Sequence, residues 1–251
     1  EQGEAWLKDW AETWGLNVHI INQTATNGAI NVCGPKAREL LQKLTDEPID
    51  ADTFRFSSHR EFQVAGISCR VLRVGFVGEL SFELHHPSRQ SVTLWNALLE
   101  AGETFGIKPH GVQALMLLRL EKGHIVVGVD TDFDCSPRQV GADWSVKMEK
   151  EYFVGKTALE RLRELPFNKK LHGFIFSGGA TPPEGTTLTA DGEYVGFLTS
   201  SRYSHSLKKP IALGWLRKQT GPFPSNVTAG GIPGTITDLP FYDPKGERVR
   251  G

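Results

Sequence analysis

Apolar residues recur at helical spacing in five stretches of the chain. Trp6, Trp10 and Trp14 stand at i, i+4 and i+8, so they share one face of a helix predicted over 1–16, with Gly15 as its stop. Large apolar groups prefer burial, so core packing is the expected fate of this stripe, with docking of a partner as the alternative. Ala37, Leu40, Leu41 and Leu44 follow Gly34-Pro35 with a 3.6-residue period and predict a second helix. Val92, Trp95, Leu98 and Leu99 mark a third, begun at Pro87 and ended near Gly102. Val112, Leu115 and Leu118 mark a fourth over 109–122, and Ala158, Leu159, Leu162 and Leu165 a short fifth over 156–165.

Strand-like runs lie between these helices at 18–21, 28–33, 61–74 and 80–84, the last two around the tight segment Gly75-Phe76-Val77-Gly78. Residues 45–60 read as irregular and polar. Such alternation predicts an α+β unit with a mixed or antiparallel sheet. From residue 171 the helical period fades. Runs at 171–176, 194–199, 211–215 and 235–237, separated by turns rich in Gly, Pro, Ser and Asn, predict a small all-β barrel or sandwich. The boundary falls near 150–170, and the two predicted domains are 1–155 and 156–251.

The stretch 118–132 carries the densest mixture of residue types. A helix runs into Gly123, the apolar run Ile125-Val126-Val127 follows as a predicted buried strand, and Asp130, Asp132 and Asp134 form an acidic loop ending at Ser136-Pro137. A helix stopped by glycine, then a strand, then a polar loop is a common way to wall a pocket.

Composition narrows the classes. The chain has 251 residues, 39% hydrophobic and 23% charged, with 28 basic against 29 acidic groups. That balance gives no reason to expect nucleic acid or an anionic membrane as partner. No apolar run approaches the roughly 18–20 residues of a membrane span, and no leader peptide is expected. The chain starts at Glu1 inside a helical pattern, which suggests a fragment of something longer. Cys33, Cys69 and Cys135 are too few and too scattered for a disulfide framework, which predicts reduced thiols and a cytoplasmic setting.

Several chemistries find no motif. There is no nucleophile elbow, P-loop or H-E-x-x-H. Gly75-x-x-Gly78 lacks the third glycine and the helix of a dinucleotide site. No metal spacing of Cys and His occurs, and Cys135 has no general base beside it, so a structural role is expected for it. The alternating aspartates lack the glycine and closing Glu of a calcium loop, so solvated or capping roles are expected. Glu79 and Glu83 lie four apart, on one face if the segment is extended. A carboxylate there could accept two donors in a fork, suiting an amidine-like edge such as that of a pterin; an exposed strand face with ion pairs is the alternative.

Five segments resemble one known family. Gly75-Phe76-Val77-Gly78-Glu79-Leu80-Ser81-Phe82-Glu83 is similar to the G-Y-x-G-E-x-x-x-E signature of the aminomethyltransferase (glycine cleavage T-protein) family. The stretch 118–132 resembles its L-R-x-E-x-G…G-x-D segment, and Gly34-Pro35-Lys36-Ala37 its G-P-x-A helix start. Asp143-Trp144-Ser145-Val146 with Phe153-Val154-Gly155-Lys156 resembles its W-x-V…F-x-G-K segment, and Thr199-Ser200…Ser206…Ile211-Ala212-Leu213 its T-S…S…I-A-L strand. The matches run in order along nearly the whole chain. Glu121-Lys122-Gly123-His124, Asp130-Thr131-Asp132 and the ending Phe241-Tyr242-Asp243-Pro244-Lys245-Gly246 are most similar to the folate-binding half of heterotetrameric sarcosine oxidase α subunits, with dimethylglycine dehydrogenases as close relatives.

The resemblance implies a T-protein-like folate-binding α+β domain, incomplete at its N-terminus, followed by a small C-terminal β-barrel. It implies a tetrahydrofolate-binding module that captures an amine-derived one-carbon unit as 5,10-methylenetetrahydrofolate, with any flavin or NAD held on other domains or subunits. A non-catalytic folate-binding or partner-docking module, and a methyltransferase or demethylase using another donor, are the alternatives. The match implies Glu83 at the pterin edge with Glu79 beside it, Phe76 at an aromatic position against the folate, and His124 at a position of Tyr near the cofactor. Leu115 stands where T-proteins carry a folate-holding Arg, a loss shared with the oxidase branch. The catalytic Asp of the family falls upstream of residue 1, so no catalytic residue is assigned. A partner subunit, or an N-terminal half, is expected against Trp6, Trp10 and Trp14.

Overall fold

The computed structural model describes residues 2–132, 134–166, 168–218 and 221–251, so residue 1 of the first predicted helix lies outside the described residues. The chain forms two compact units, one of residues 1–75, 79–109 and 248–251, the other of residues 76–78 and 110–247.

The first unit begins with helix α1 (Gln2–Thr13). Gly15 ends it in the left-handed conformation, its N–H bonding Glu12 while the N–H of Leu16 reaches Ala11, the Schellman arrangement. Strand β1 (Asn27–Cys33), helix α2 (Ala37–Gln42), strands β2 (His59–Val64), β3 (Ile67–Leu72) and β4 (Ser81–Pro87), and helix α3 (Ser91–Gly102) follow. The sheet order is β1-β4-β3-β2, antiparallel throughout. Val32, Phe62, Val64, Ile67, Cys69, Val71, Phe82 and Leu84 alternate onto one face, where Leu40 and Leu41 of α2 and Leu94 and Leu98 of α3 close the core. Period-2 strands against period-3.6 helices give one buried layer and leave the other sheet face for polar side chains.

Two predicted strands change here. The run 61–74 is a hairpin, turned at Ala65 and Gly66 with φ of 52° and 74°. Positive φ at both central residues matches the right-handed twist of the strands, and the apolar alternation changes phase there, from Phe62 and Val64 to Ile67, Cys69 and Val71. Residues 18–21 form no strand; among the described residues no neighbour pairs with them, and an unpaired strand is not stable.

The second unit contains α4 (Val112–Glu121), α5 (Lys156–Glu164) and strands β5 (Lys169–Phe176), β6 (Thr187–Ala190), β7 (Glu193–Ser204), β8 (Lys209–Arg217), β9 (Asn226–Ala229) and β10 (Ile232–Thr237). These strands close into a barrel in the order β10-β5-β8-β7-β6-β9, so the structure decides between barrel and sandwich. β6 and β9 are four residues each, too short for alternation to register. Phe174, Phe176, Leu188, Val195, Leu198, Ala212, Leu216, Val227 and Ala229 fill the interior. Leu171, Ile211, Leu213 and Trp215 point outward and bury against Leu120 of α4, so β8 is covered on both faces. At Gly196 a Cβ would meet the Trp215 carbonyl oxygen at 1.8 Å; only glycine admits β7 so close to β8.

The predicted strand at Ile125-Val126-Val127 is absent. Val127 makes one isolated bridge to Thr131 and is 74% exposed. The backbone instead turns back, with Val129 and Asp130 donating to the Val126 carbonyl.

Candidate functional site

The stretch 118–132 is organised around one carboxylate. Gly123 takes φ of 69°, and its N–H bonds Leu120 while the N–H of His124 bonds Arg119, a second Schellman stop. The chain then loops so that Asp130 points inward. Asp130 is fully buried, which corrects the expectation of a solvated acid at this one position; Asp132 and Asp134 are exposed. Its Oδ2 accepts from Arg119 Nη1 at 2.6 Å and from the Val126 N–H at 2.8 Å. Its Oδ1 accepts from Thr199 Oγ1 at 2.7 Å and Ser200 Oγ at 2.6 Å. Successive strand residues normally face opposite ways. A register shift in β7 between Leu198 and Ser200 lets both hydroxyls reach the same carboxylate, the re-aiming that a bulge provides.

The same segment is stapled at three further points. Glu121, 3% exposed, accepts from Ser204 Oγ at 2.6 Å and Ser206 Oγ at 3.0 Å. Lys122 Nζ donates to the Asp243 carbonyl at 2.6 Å and to its carboxylate at 3.0 Å. Trp215 Nε1 donates to the Asp130 carbonyl at 2.8 Å. Two of the motifs noticed in the sequence, L-R-x-E-x-G…G-x-D and T-S…S, are thus each other's hydrogen-bond partners. Asp132 lies 3.9 Å from Lys169, and Asp134 donates its N–H to Asp132 at 3.0 Å. Among the described residues no three of His, Cys, Asp and Glu group to hold a metal ion.

Within this unit Phe76 and His124 meet. Their rings stack with centroids 5.4 Å apart and 21° between planes, and His124 Nδ1 lies 2.8 Å from the Phe76 carbonyl oxygen. Burial pushes the imidazole below its ordinary value, the Phe76 carbonyl pulls it up, and Lys122 and Arg119 add to the lowering. Sequence reasoning named both residues but had no signal for their contact, since they are 48 positions apart.

The other unit holds the two glutamates. β4 begins at Ser81, so Glu79 lies in the bend before it and the expectation that both acids share one strand face is corrected. Glu79 pairs with Arg248, Nη1 to Oε1 3.2 Å. Glu83 lies on the polar face of β4, in register with Asn31 of β1 and Leu72 of β3. Its side chain is 35% exposed, and among the described residues its carboxylate has one hydrogen-bond partner, His85 Nε2 at 3.4 Å. Asn31 Nδ2 donates to Ser81 Oγ at 2.8 Å beside it. Such a carboxylate keeps most of its lone pairs for an outside donor.

The Trp stripe is not core. No residue of α1 is buried, and Trp6 and Trp14 are 53% and 47% exposed. The indoles pack on one another instead, Trp6 on Trp10 at 6.3 Å and Trp10 on Trp14 at 4.9 Å. The helical face was read correctly; its burial was not, because periodicity shows which side is apolar but not whether anything covers it. Cys69 is buried, and burial pushes its thiol up to about 11. Cys135 Sγ donates to the Asp132 carbonyl at 3.1 Å. Among the described residues no helix is long and apolar enough to cross a membrane.

One unit with a four-stranded α+β sheet, and another in which an arginine–aspartate staple holds a loop to a closed six-stranded barrel, define the class of molecule. Residues 1–150 match the GCVT N-terminal domain, and residues 169–243 match the glycine cleavage T-protein C-terminal barrel domain. The chain belongs to the glycine cleavage T-protein family. An aminomethyltransferase of Caldanaerobacter subterraneus subsp. tengcongensis is 36% identical over 213 residues, 85% of this chain and 56% of the relative. Mitochondrial dimethylglycine dehydrogenase of Homo sapiens is 34% identical over 216 residues, 85% of this chain and 25% of the relative. The crystal structure of glycine cleavage system aminomethyltransferase T from Bartonella henselae superposes with a TM-score of 0.75 at 26% identity, over 87% of this chain and 60% of that one. The chain therefore spans between about a quarter and somewhat over half of these relatives' lengths.

Proposed function

We propose that this chain is the tetrahydrofolate-binding, one-carbon transfer module of a sarcosine-oxidase-like enzyme or an aminomethyltransferase, forming 5,10-methylenetetrahydrofolate from an amine-derived one-carbon unit. The observation that carries the reading is Glu83, a carboxylate about a third exposed at the end of the family signature, with only one long contact of its own among the described residues. Its unused acceptor sites suit the paired N–H donors of a pterin edge. The stacked pair Phe76 and His124 offers an aromatic face, and Glu79 adds a second carboxylate near the signature. Bound folate would supply the nucleophilic nitrogen that accepts the one-carbon unit, and the module's own contribution would be to hold and orient it. The division into a folate-binding region, 1–155, and a barrel domain, 156–251, is supported by the family matches at 1–150 and 169–243. A cytoplasmic setting is part of the same proposal and rests on three cysteines that form no disulfide.

The exposed Trp6/Trp10/Trp14 face favours a second reading, in which the chain is a docking module that binds folate without transferring carbon, or binds a partner alone. Calorimetric titration of tetrahydrofolate into the chain decides the first point: saturable 1:1 binding is expected, and its absence overturns the folate reading. Amine-dependent methylene transfer to tetrahydrofolate decides the second, since binding without transfer leaves the module non-catalytic.

A further inference from the structure

His124 is held at every polar backbone group and at one ring nitrogen. Its N–H bonds the Arg119 carbonyl at 2.9 Å, its carbonyl accepts from Arg119 Nη1 at 2.9 Å, and its Nδ1 lies 2.8 Å from the Phe76 carbonyl oxygen. Arg119 is in turn fixed by Asp130 and Ser200, and the Phe76 ring lies against the imidazole. A carbonyl oxygen can only accept, so Nδ1 must carry the proton. In a neutral ring Nε2 is then a bare lone pair. Burial, Lys122 and Arg119 all disfavour the imidazolium. Among the described residues Nε2 has no hydrogen-bond partner, yet it is not one of the sealed, unpartnered atoms of the interior.

We infer that His124 is a specificity-determining residue whose Nε2 is a preset hydrogen-bond acceptor, taking an N–H of the bound ligand. The inference rests on the folate reading for the identity of that ligand, a reduced pterin with N–H groups on its ring. The prearrangement does not rest on it: the Schellman turn at Gly123, the Arg119 clamp and the Phe76 carbonyl fix the ring before any ligand arrives. A site of this kind discriminates strongly, because a ligand lacking the N–H would leave the lone pair desolvated and unpaired.

Two measurements on the full 251-residue chain test this. Nitrogen-detected NMR of the histidine rings at neutral pH, without ligand, is expected to show His124 protonated at Nδ1 and bare at Nε2. Calorimetry with tetrahydrofolate is expected to show His124→Asn, which keeps a short donor toward the Phe76 carbonyl but loses the acceptor, binding about tenfold more weakly, the size of one hydrogen bond. His124→Gln, which can place an amide oxygen near the Nε2 position, is expected to recover most of that loss, with thermal melts confirming that both variants fold. A proton on Nε2, or tetrahydrofolate binding unchanged in His124→Asn, overturns the inference in a wild type that binds. No binding to the wild type overturns the folate reading and this ligand with it, and the NMR arm separates the two failures.

Discussion

Asp130 and Glu83 are both carboxylates inside recognisable motifs, and their surroundings are opposite. Asp130 is sealed and accepts four hydrogen bonds, two at each oxygen, which uses every acceptor site a carboxylate has. Glu83 is a third exposed and, among the described residues, holds one contact at 3.4 Å. A saturated buried ion has no capacity left for chemistry, and its work is to hold a loop to a barrel. An undersatisfied carboxylate on an open sheet face keeps its capacity for something not in the chain. Residue type alone marks both as candidates; the count of satisfied lone pairs separates architecture from binding.

The largest effect that can break this comparison is at the staple. Asp130→Ala strands the Arg119 guanidinium in the interior and is expected to lower unfolding free energy by about 3–5 kcal/mol, read from urea midpoints; a loss under about 1 kcal/mol would show that the ion pair is not structural. Glu83→Gln is expected to leave the melting temperature in place while weakening tetrahydrofolate by about 1–3 kcal/mol. A destabilised fold with unchanged affinity would move Glu83 into the same class as Asp130.

A third kind of polar group sharpens the scale. His172 of β5 has a buried Nε2 without a partner and an edge contact with Phe223 at 4.9 Å; burial, with Lys170 adding, pushes its ring down to about 4 from 6.5. The folded ring stays neutral where the unfolded ring takes up a proton. Stability contributed above about pH 6.5 is therefore lost as pH falls toward about 4, and unfolding curves should show that slope. His172→Gln should flatten it, and an unchanged slope would place the proton uptake elsewhere. The smallest effect is expected at α1: Trp6→Ser should change stability by less than about 0.5 kcal/mol. A large loss would mean that the stripe is core after all.

Much of the fold was legible. The helices at α2, α3, α4 and α5 follow from periodicity, and the stops at Gly15 and Gly123 from glycine alone, because only a residue that tolerates positive φ makes the Schellman turn cheaply. The site was legible as residue names. Phe76, Glu83, Glu121 and Asp130 all lie in motifs, yet which of them face solvent and which face each other depends on strand pairing and on a single register shift in β7. Periodicity is a local quantity. The turn at Ala65-Gly66, the short strands β6 and β9 and the missing strand at 125–127 depend on partners distant in sequence.

By itself, then, the sequence determined the family, the helical faces, the all-β character of the C-terminal part and the residue types available for binding. Only the tertiary structure decided that the barrel closes, that Asp130 is a staple and not a solvated acid, that the tryptophan face is bare, and that His124 Nδ1 meets the Phe76 carbonyl oxygen. Each of those is a question of what lies opposite a given atom, and hydrogen-bond saturation and burial exist only once segments far apart in the chain have met.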